Sequence, residues 1–222
     1  MIYVAGDTHG DIDYKKLLAL KEENVTFDDY LIICGDMGIC WSPELLPYFL
    51  SIYRDIGCTI IFVDGNHENF DMLNNYQLVE YKGAIMHQID DHIFHILRGE
   101  IMTLEDKTFL CIGGACSIDK MYRKLYISWW PEEEITSHDI YNAICNLEKV
   151  NNKVDYVITH CCDSKTVVKA FGFKRDVCTD QLNFIDKIVD YKYWFFGHYH
   201  FDRAIGTNKR CLFNTIIQLD DE

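Results

Sequence analysis

The chain has 222 residues, of which 49% are hydrophobic and 14% aromatic, and its formal net charge is −14. This composition supplies a sizeable core. The negative charge disfavours long nucleic acid as a partner, because affinity for nucleic acid rests largely on Lys and Arg neutralising phosphates.

The apolar runs are strand-sized and far shorter than the roughly 20 residues that span a bilayer, so no membrane segment is predicted. No signal peptide is expected, because the chain enters a strand at once and then meets Asp7 and His9. Three prolines, no Gly/Ser-rich tract and no repeat predict one domain over residues 1–222. Ten cysteines without a Cys-x-x-Cys pair predict free thiols in a reducing cytoplasm.

In chain order, apolar and β-branched runs predict βα units around a β-rich middle. Strands are predicted at residues 2–5, 31–34, 59–63, 84–87, 92–97, 101–104, 108–112, 154–158 and 193–196. Helices are predicted at 14–21, at 43–57 starting from Pro43, after a capping box at Thr136, and at 182–189. A turn is expected at 105–107, and a hairpin of 203–205 with 211–219 closes the chain.

Five short motifs with metal-binding residue types each follow a predicted strand. They are Gly6-Asp7-Thr8-His9-Gly10, Gly35-Asp36, Gly65-Asn66-His67-Glu68, Thr159-His160 and Gly197-His198-Tyr199-His200. Singly, Gly-Asp and Gly-Asn are typical of turns, and a lone His is more often a core residue. Open α/β sheets bind ligands outside the carboxyl ends of their strands. Together, the motifs therefore predict a metal centre with seven oxygen and nitrogen ligands at one rim of one sheet.

The content and order of these motifs resemble the calcineurin-like metallophosphoesterases, whose pattern is GDxHG, GDxx, GNHE, a later His and GHxH. The resemblance spans Asp7 to His200. It implies a four-layer α/β/β/α sandwich and a metal-dependent phosphoric ester hydrolase. His67 would be catalytic and face the substrate, which Asn66 would also contact. The implied ligands of two ions are Asp7, His9 and His200 for the first, Asn66, His160 and His198 for the second, and Asp36 for both.

Carboxylate, amide and imidazole ligands suit Mn²⁺ first, with Fe, Zn²⁺ or Ni²⁺ as alternatives. Two ions about 3.5–4 Å apart can clamp a phosphoryl group and lower the pKa of a bound water from about 15.7 toward about 7. We expect in-line attack of the bridging hydroxide, helped by Asp36, while His67 donates a proton or hydrogen bond to the leaving oxygen. Two divalent ions bring four positive charges, of which Asp7, Asp36 and the hydroxide neutralise three. The remaining positive charge favours binding of an anionic substrate.

Two departures from the protein-phosphatase branch bear on substrate binding. That branch continues its second motif as GDxVDRG, whereas here Met37-Gly38-Ile39 follows Asp36, and no Arg precedes Gly65. Phosphate must therefore be anchored elsewhere. Segment 113–134 is interpreted as a lid whose Arg123 or Lys120 binds phosphate oxygens, with an ordinary surface Arg as the alternative. The Trp129-Trp130 pair either shapes the pocket or packs this segment onto the sheet.

The expected substrate is a small phosphorylated metabolite, nucleotide or phosphopeptide, as for small bacterial or phage-type phosphoesterases. Eukaryote-type protein phosphatase activity is put in doubt by the departures. One alternative is a nuclease or phosphodiesterase acting on short nucleic acid, which would need the fold to gather Lys120, Arg123, Lys124 and Lys165 near the site. Another is a non-catalytic scaffold, which the retained ligands and His67 disfavour. The sequence carries no signal for the oligomeric state.

Overall fold

The computed structural model describes residues 1–219, which form two sheets flanked by helices. The strands are β1 (Ile2–Ala5), β2 (Tyr30–Ile33), β3 (Thr59–Phe62), β4 (Leu78–Tyr81), β5 (Ala84–Asp90), β6 (Ile93–Ile96), β7 (Glu100–Leu104), β8 (Lys107–Ile112), β9 (Tyr156–Thr159), β10 (Tyr193–Phe196), β11 (Arg203–Ile205), β12 (Lys209–Cys211) and β13 (Ile216–Leu219).

The helices cover the outer faces of the sheets. The α-helices are α1 (Ala19–Glu22), α2 (Leu46–Arg54), α3 (Phe70–Leu73), α4 (Ser137–Lys149), α5 (Ser164–Thr166) and α6 (Val177–Ile185). Short 3₁₀ turns occupy Tyr14–Leu18, Lys120–Tyr122 and Pro131–Glu133, and a π-helical turn occupies Val167–Phe171. Within residues 1–219, no helix is long and apolar enough to cross a membrane.

The first sheet has the strand order β13-β1-β2-β3-β6-β5-β4, and the second has the order β11-β12-β10-β9-β8-β7. Strands β1, β2, β3 and β6 run parallel in the first sheet, as do β12, β10, β9 and β8 in the second. Strands β1, β2, β3 and β9 are buried along their whole length. Burial on both faces explains why their sequences are continuously apolar rather than alternating.

Three apolar clusters divide the molecule into four layers. One cluster lies between the sheets and joins Ile32 and Ile61 of the first to Phe109 and Ile158 of the second. Another packs the first sheet against α2, and a third packs the second sheet against α4 and α6. The prediction of an α/β/β/α sandwich is therefore confirmed.

The structure corrects the prediction that all five motif-bearing strands share one sheet. Strands β1, β2 and β3 belong to the first sheet, whereas β9 and β10 belong to the second. Apolar strand sequences report burial on two faces but carry no information about which neighbour pairs with which. Strand β4 was not predicted, because its residues are only partly buried or exposed and its pattern is weak.

Several boundaries also differ. The second helix is Leu46–Arg54 rather than 43–57, with Pro47 instead of Pro43 in its first turn. The predicted closing hairpin is wrong in its second strand, since β11 pairs with β12 and β13 crosses to β1 of the other sheet. Residues 188–189 lie beyond the end of α6. The Thr136 capping box is confirmed, because the Thr136 side chain accepts from the backbone N–H of Asp139 and the Asp139 carboxylate accepts from that of Thr136.

Candidate metal centre

Loops that leave the carboxyl ends of five strands meet across the two sheets. Asp7 follows β1, Asp36 follows β2 and Asn66 follows β3, while His160 follows β9 and His198 follows β10. Four predicted ligands have left-handed backbone conformations: His9 (φ 45°), Asp36 (φ 48°), His198 (φ 65°) and His200 (φ 54°). Non-glycine residues rarely adopt this region, and such strain clusters at functional sites.

Two of the motif glycines permit the close approach of neighbouring loops. A Cβ atom at Gly65 would lie 2.0 Å from Oδ1 of Asp36, and one at Gly197 would lie 2.0 Å from Oδ1 of Asp7. Real Cβ contacts are never that short, so any side chain here would displace a carboxylate. These glycines are therefore required for the position of the two aspartates.

The ligand atoms of Asp7, His9 and His200 lie within 4.8 Å of one another, and so do those of Asp7, Asp36 and His160. The Asp36 Oδ2 atom is 3.4 Å from His9 Nε2 and 3.3 Å from His160 Nε2. The Asn66 Oδ1 atom is 3.1 Å from His160 Nε2. A single carboxylate oxygen of Asp36 thus faces ligands from both predicted ion sites.

The hydrogen bonds of the imidazoles suit a metal centre. His160 Nδ1 lies 2.8 Å from the backbone oxygen of Cys34, and His9 Nδ1 lies 2.8 Å from Oδ2 of Asp13. A proton on Nδ1 satisfies both contacts and leaves each Nε2 lone pair turned toward Asp36. Metal-binding histidines in proteins are held in this way, with the second nitrogen donating to a carbonyl or carboxylate. Two Nε2 atoms directed at one carboxylate oxygen need either protons or a cation between them, so the residues present fit a bound metal.

The charges of the site lead to the same conclusion. Burial raises the pKa of Asp36, but the charges and hydrogen bonds of His160 and His9 outweigh it and hold that pKa well below its usual value. Burial lowers the pKa of His160, yet Asp36 and Asp7 raise it to about 10. Protons on the histidines therefore balance the carboxylates when no ion is bound. A divalent cation can replace them.

Two of the predicted residues are placed differently from the rest. The His198 ring is centred 4.9 Å from that of His160, but its nitrogens belong to none of the ligand clusters among the described residues. Its backbone N–H donates to Oδ1 of Asp7 at 3.0 Å. His67, for which no metal was predicted, has a ring nitrogen clustered with ligand atoms of His9 and Asp36. The side chain of His200 is the most open of the ligands, with 51% exposure.

Arg123 lies at the site, whereas Lys120 does not. The Arg123 Nη2 atom is 3.1 Å from His67 Nε2, and Nη1 donates to the backbone oxygen of Asn66 at 3.1 Å. Since Arg cannot accept a hydrogen bond, His67 Nε2 accepts one here. Lys120 instead pairs with Glu134 at 2.9 Å and lies over the ring of Trp129. Arg123 therefore contacts two residues of the third motif.

The tryptophan pair packs the segment rather than lining the cavity. Trp130 is 1% exposed and belongs to the cluster between the first sheet and α2. Its Nε1 atom donates to Oδ2 of Asp71 at 3.0 Å. Trp129 stacks under Lys120 at 4.0 Å. The packing interpretation therefore holds for Trp130, whereas Trp129 contacts Lys120 of its own segment.

Ser117 and Glu133, which the sequence did not indicate, orient the amide of Asn66. The Asn66 Nδ2 atom donates to Ser117 Oγ at 3.2 Å, and Ser117 Oγ donates in turn to Oε2 of Glu133. Glu133 also accepts from the backbone N–H of Trp130 at 3.3 Å and is fully buried. With its nitrogen held in this way, Asn66 presents its oxygen to His160. Glu133 stands in a run of three glutamates, and nothing in the sequence distinguishes it from the other two.

Asp64 and Glu68, which flank the third motif, hold its loop in place. Asp64 pairs with Arg98 and lies 3.1 Å from Nε2 of His95. Arg98 also donates to the backbone oxygens of Glu132 and Glu134, at 2.6 and 2.9 Å. Asp64 occupies the position where the protein-phosphatase branch has an Arg. Through Arg98, it connects segment 113–134 to the loop of the third motif.

The carboxyl of Glu68 is fully buried and accepts from the backbone N–H of Gly38 at 3.2 Å. Burial and the charge of Asp36 raise the pKa of Glu68 to about 8. Glu68 therefore joins the third motif to the turn after Asp36 as a largely neutral acid.

The residue that supports His9 could have been found from the sequence. Asp13 lies four residues after His9, and this spacing was the one signal for a residue that holds a predicted metal ligand.

A cavity of about 680 Å³ opens at the centre. Asp36, Asn66, His67 and Arg123 line it, and the rest of its wall is mixed in polarity. That wall contains Cys116, Ile118, Asp119, Val167, Phe173, Lys174, Asp176, His198, Tyr199 and His200. Of the four cations that a nuclease would have gathered, Arg123 alone lines this cavity, where it is joined by Lys174.

A model of the calcineurin-like phosphoesterase family matches residues 1–202. The chain belongs to this family. It is accordingly a phosphoester hydrolase of a metal-dependent family, and its clusters of Asp and His side chains are the candidate metal ligands.

Two relatives show what this phosphoesterase is similar to. Over 218 residues it is 22% identical to a protein of Fibrobacter succinogenes named probable cyclic nucleotide phosphodiesterase, which covers 95% of this chain and 74% of that protein. The crystal structure of phosphopantetheinyl hydrolase from Mycobacterium tuberculosis has a TM-score of 0.52 at 15% identity, covering 95% of this chain and 86% of that one. At this identity the structural likeness shows the fold alone.

Proposed function

We propose that this phosphoesterase hydrolyses small phosphorylated molecules at a dinuclear metal centre, within one domain that spans the chain. The proposal rests above all on Asp36, one of whose oxygens faces imidazole nitrogens on two sides, at 3.4 Å from His9 Nε2 and 3.3 Å from His160 Nε2. In the proposed centre, Asp36 would contribute to the binding of both ions. Asp7, His9 and His200 would hold the first ion, and Asn66, His160 and His198 would hold the second.

Two bound divalent ions would polarise the phosphoryl oxygens and lower the pKa of a coordinated water to about 7. Mn²⁺ is the first choice for this set of oxygen and nitrogen ligands, ahead of Fe, Zn²⁺ and Ni²⁺. The protein's own contribution is to position the substrate and to donate hydrogen bonds. Arg123 is suited to phosphate, because its planar guanidinium can donate to two oxygens at once.

Arg123 and His67 would act in sequence. Without substrate, His67 Nε2 accepts a hydrogen bond from Arg123. An arriving phosphate would draw the Arg123 donors to its own oxygens and free Nε2. His67 Nε2 would then take up a proton from solvent and donate it to the leaving oxygen.

The cavity favours a compact substrate over a polymer. Its volume of about 680 Å³ lies within the usual range for small-molecule sites. Ile118, Val167 and Phe173 in its wall offer apolar contacts, and Lys174 offers a second cation. A phosphorylated metabolite, a nucleotide or a phosphopeptide side chain fits these features.

The function is tested by a panel of phosphomonoesters, cyclic nucleotides and phosphopeptides offered to Mn²⁺-loaded protein, before and after chelation. We expect hydrolysis of at least one class, lost on chelation and restored by Mn²⁺. Hydrolysis that is equal with and without metal, or absent with every metal, would favour the scaffold alternative. A preference for oligonucleotides would favour the nuclease alternative.

Substituting Arg123→Ala is expected to raise KM for phosphorylated substrates by about 10- to 100-fold, the value of one hydrogen bond to a charged group. The Arg123 Nη2 atom lies 3.1 Å from His67 Nε2. The steady-state KM is to be compared with that of Lys124→Ala, which removes an exposed cation from the next position. An unchanged KM for Arg123→Ala would exclude it from phosphate binding.

Substituting Glu133→Gln is expected to weaken binding of one of two Mn²⁺ ions by about 10- to 100-fold, as for other residues that support a metal ligand. Glu133 accepts from both Ser117 and Trp130, and a Gln side chain has one carbonyl oxygen for the two donors. Calorimetric titration with Mn²⁺ measures the effect. Glu132→Gln, at an exposed neighbouring position, is the matched control. Equal affinity in the two variants would show that Asn66 needs no such support.

A further inference from the structure

A further cluster of metal-binding side chains lies beside the candidate centre. Among residues 1–219, the clusters of Asp, Glu, His and Cys include one without any residue of the centre, formed by Cys116, Asp176 and Cys178, whose ligand atoms lie within 4.8 Å of one another. Cys116 follows β8, while Asp176 and Cys178 belong to the start of α6. The cluster thus joins segment 113–134 to the start of α6.

The three side chains are arranged so that an ion could both reach them and be held. Cys178 is fully buried, whereas Cys116 and Asp176 are partly exposed and line the substrate cavity. The backbone N–H of Ile135 donates to Cys178 Sγ at 3.2 Å. Asp176 caps α6 by accepting from the backbone N–H of Thr179 through Oδ1 at 2.9 Å, which leaves a second carboxylate oxygen. Such supporting hydrogen bonds are typical of metal ligands.

The distance between the sulfurs distinguishes two kinds of chemistry. Cys116 Sγ lies 3.4 Å from Cys178 Sγ. Zinc–sulfur bonds of about 2.3 Å at a tetrahedral angle place two sulfurs about 3.8 Å apart, whereas a disulfide places them about 2.05 Å apart. To bind an ion, the two sulfurs therefore need to separate by about 0.4 Å. This is about a third of the distance by which they would have to approach each other to form a disulfide.

We propose that Cys116, Cys178 and Asp176 form a separate site for one thiophilic divalent cation, such as Zn²⁺, with a fourth position open to the substrate cavity. Both thiols would lose their protons to solvent on binding, and no electron transfer is involved. Soft thiolates select Zn²⁺ here, whereas the oxygen- and nitrogen-rich centre nearby suits Mn²⁺. The bound ion would link Cys116 to α6 and so hold one wall of the cavity.

Cobalt provides a spectroscopic test, because thiolate-bound Co²⁺ gives an intense charge-transfer absorption in the near ultraviolet that oxygen and nitrogen ligands do not produce. Full-length protein preloaded with Mn²⁺ is to be titrated with Co²⁺. We expect the band to saturate at one Co²⁺ per chain and to disappear on addition of Zn²⁺. Cys116→Ser and Cys178→Ser should each reduce it at least several-fold. Cys145→Ser, which changes a cysteine of α4, should leave it unchanged.

A second measurement needs no variant and so does not depend on how the substitutions fold. In the wild-type protein, Zn²⁺ should slow alkylation of Cys116 at least 10-fold, followed by peptide mass spectrometry, and leave the rate at Cys145 unchanged. Absence of the cobalt band in the wild-type protein, or equal alkylation with and without Zn²⁺, would overturn the proposal. A Cys116–Cys178 disulfide in metal-treated protein would overturn it in favour of an oxidised pair. Neither readout depends on hydrolysis, so failure of the proposed function would be seen separately.

Discussion

Substituting Asp36→Asn is expected to lower kcat more than about 100-fold, because loss of a residue that merely supports a ligand already costs about 10- to 100-fold. Asn retains the shape of the side chain but removes the negative charge and turns one of the two oxygens into a donor. Oδ1 of Asp36 accepts from the backbone N–H of His67 at 2.8 Å, while Oδ2 faces His9 and His160. Whichever way the amide turns, one of these contacts is lost.

The measurement for Asp36→Asn is metal content by elemental mass spectrometry together with kcat on the same preparation. Metal content should fall below two ions per chain. Asp91→Asn, at an exposed position, is a control for the loss of one carboxylate. A variant that still binds two ions and turns over at the wild-type rate would refute the bridging role of Asp36.

Substituting His67→Ala is expected to lower kcat by about 10² to 10⁴, the usual contribution of a positioned proton donor. Metal content should be unchanged, because the proposed role of His67 is toward the leaving oxygen. The loss should shrink for substrates whose leaving groups need no proton. Kinetics over a series of aryl phosphates measures this dependence, with the exposed His138→Ala as the control.

Two outcomes would contradict this role of His67. A loss of equal size for good and poor leaving groups would show that the residue does not protonate the leaving oxygen. A loss of bound metal would assign His67 to the ligands, which its clustering with His9 and Asp36 allows geometrically. Arg123→Ala further distinguishes a proton donor from a metal ligand at His67, because it removes the present donor to His67 Nε2 and leaves the imidazole in place.

Local features could be predicted where short stretches of sequence decide them. Uninterrupted apolar runs predicted β1 and β10 at their observed bounds, because a strand buried on both faces needs no polar residue. The Thr136 capping box was predicted for a similar reason, since its hydrogen bonds join residues three apart. Boundaries such as that of α2 were missed because packing decides where a helix frays.

Residues that act across long stretches of chain were beyond prediction. Ser117 lies 51 positions from the Asn66 amide that it orients, and Glu133 looks no different from its acidic neighbours until the fold buries it. Likewise, Arg123 was one of several candidate cations, and its distance from His67 separated it from Lys120. A single sequence does not identify a contact between distant segments unless the residue type alone, such as a metal ligand, indicates that it needs a partner.

By itself, the sequence determined which chemistry the protein can support, because Asp, Asn and His at five strand ends are ligand types whatever the strand order. The tertiary structure alone decided that these ends come from two sheets, three from one and two from the other. It also decided which imidazole nitrogens face Asp36, since backbone and side-chain partners such as the carbonyl of Cys34 and Asp13 hold the rings. Ligand identity is a property of single residues, whereas ligand direction depends on packing and hydrogen bonds between segments that meet only in the folded chain.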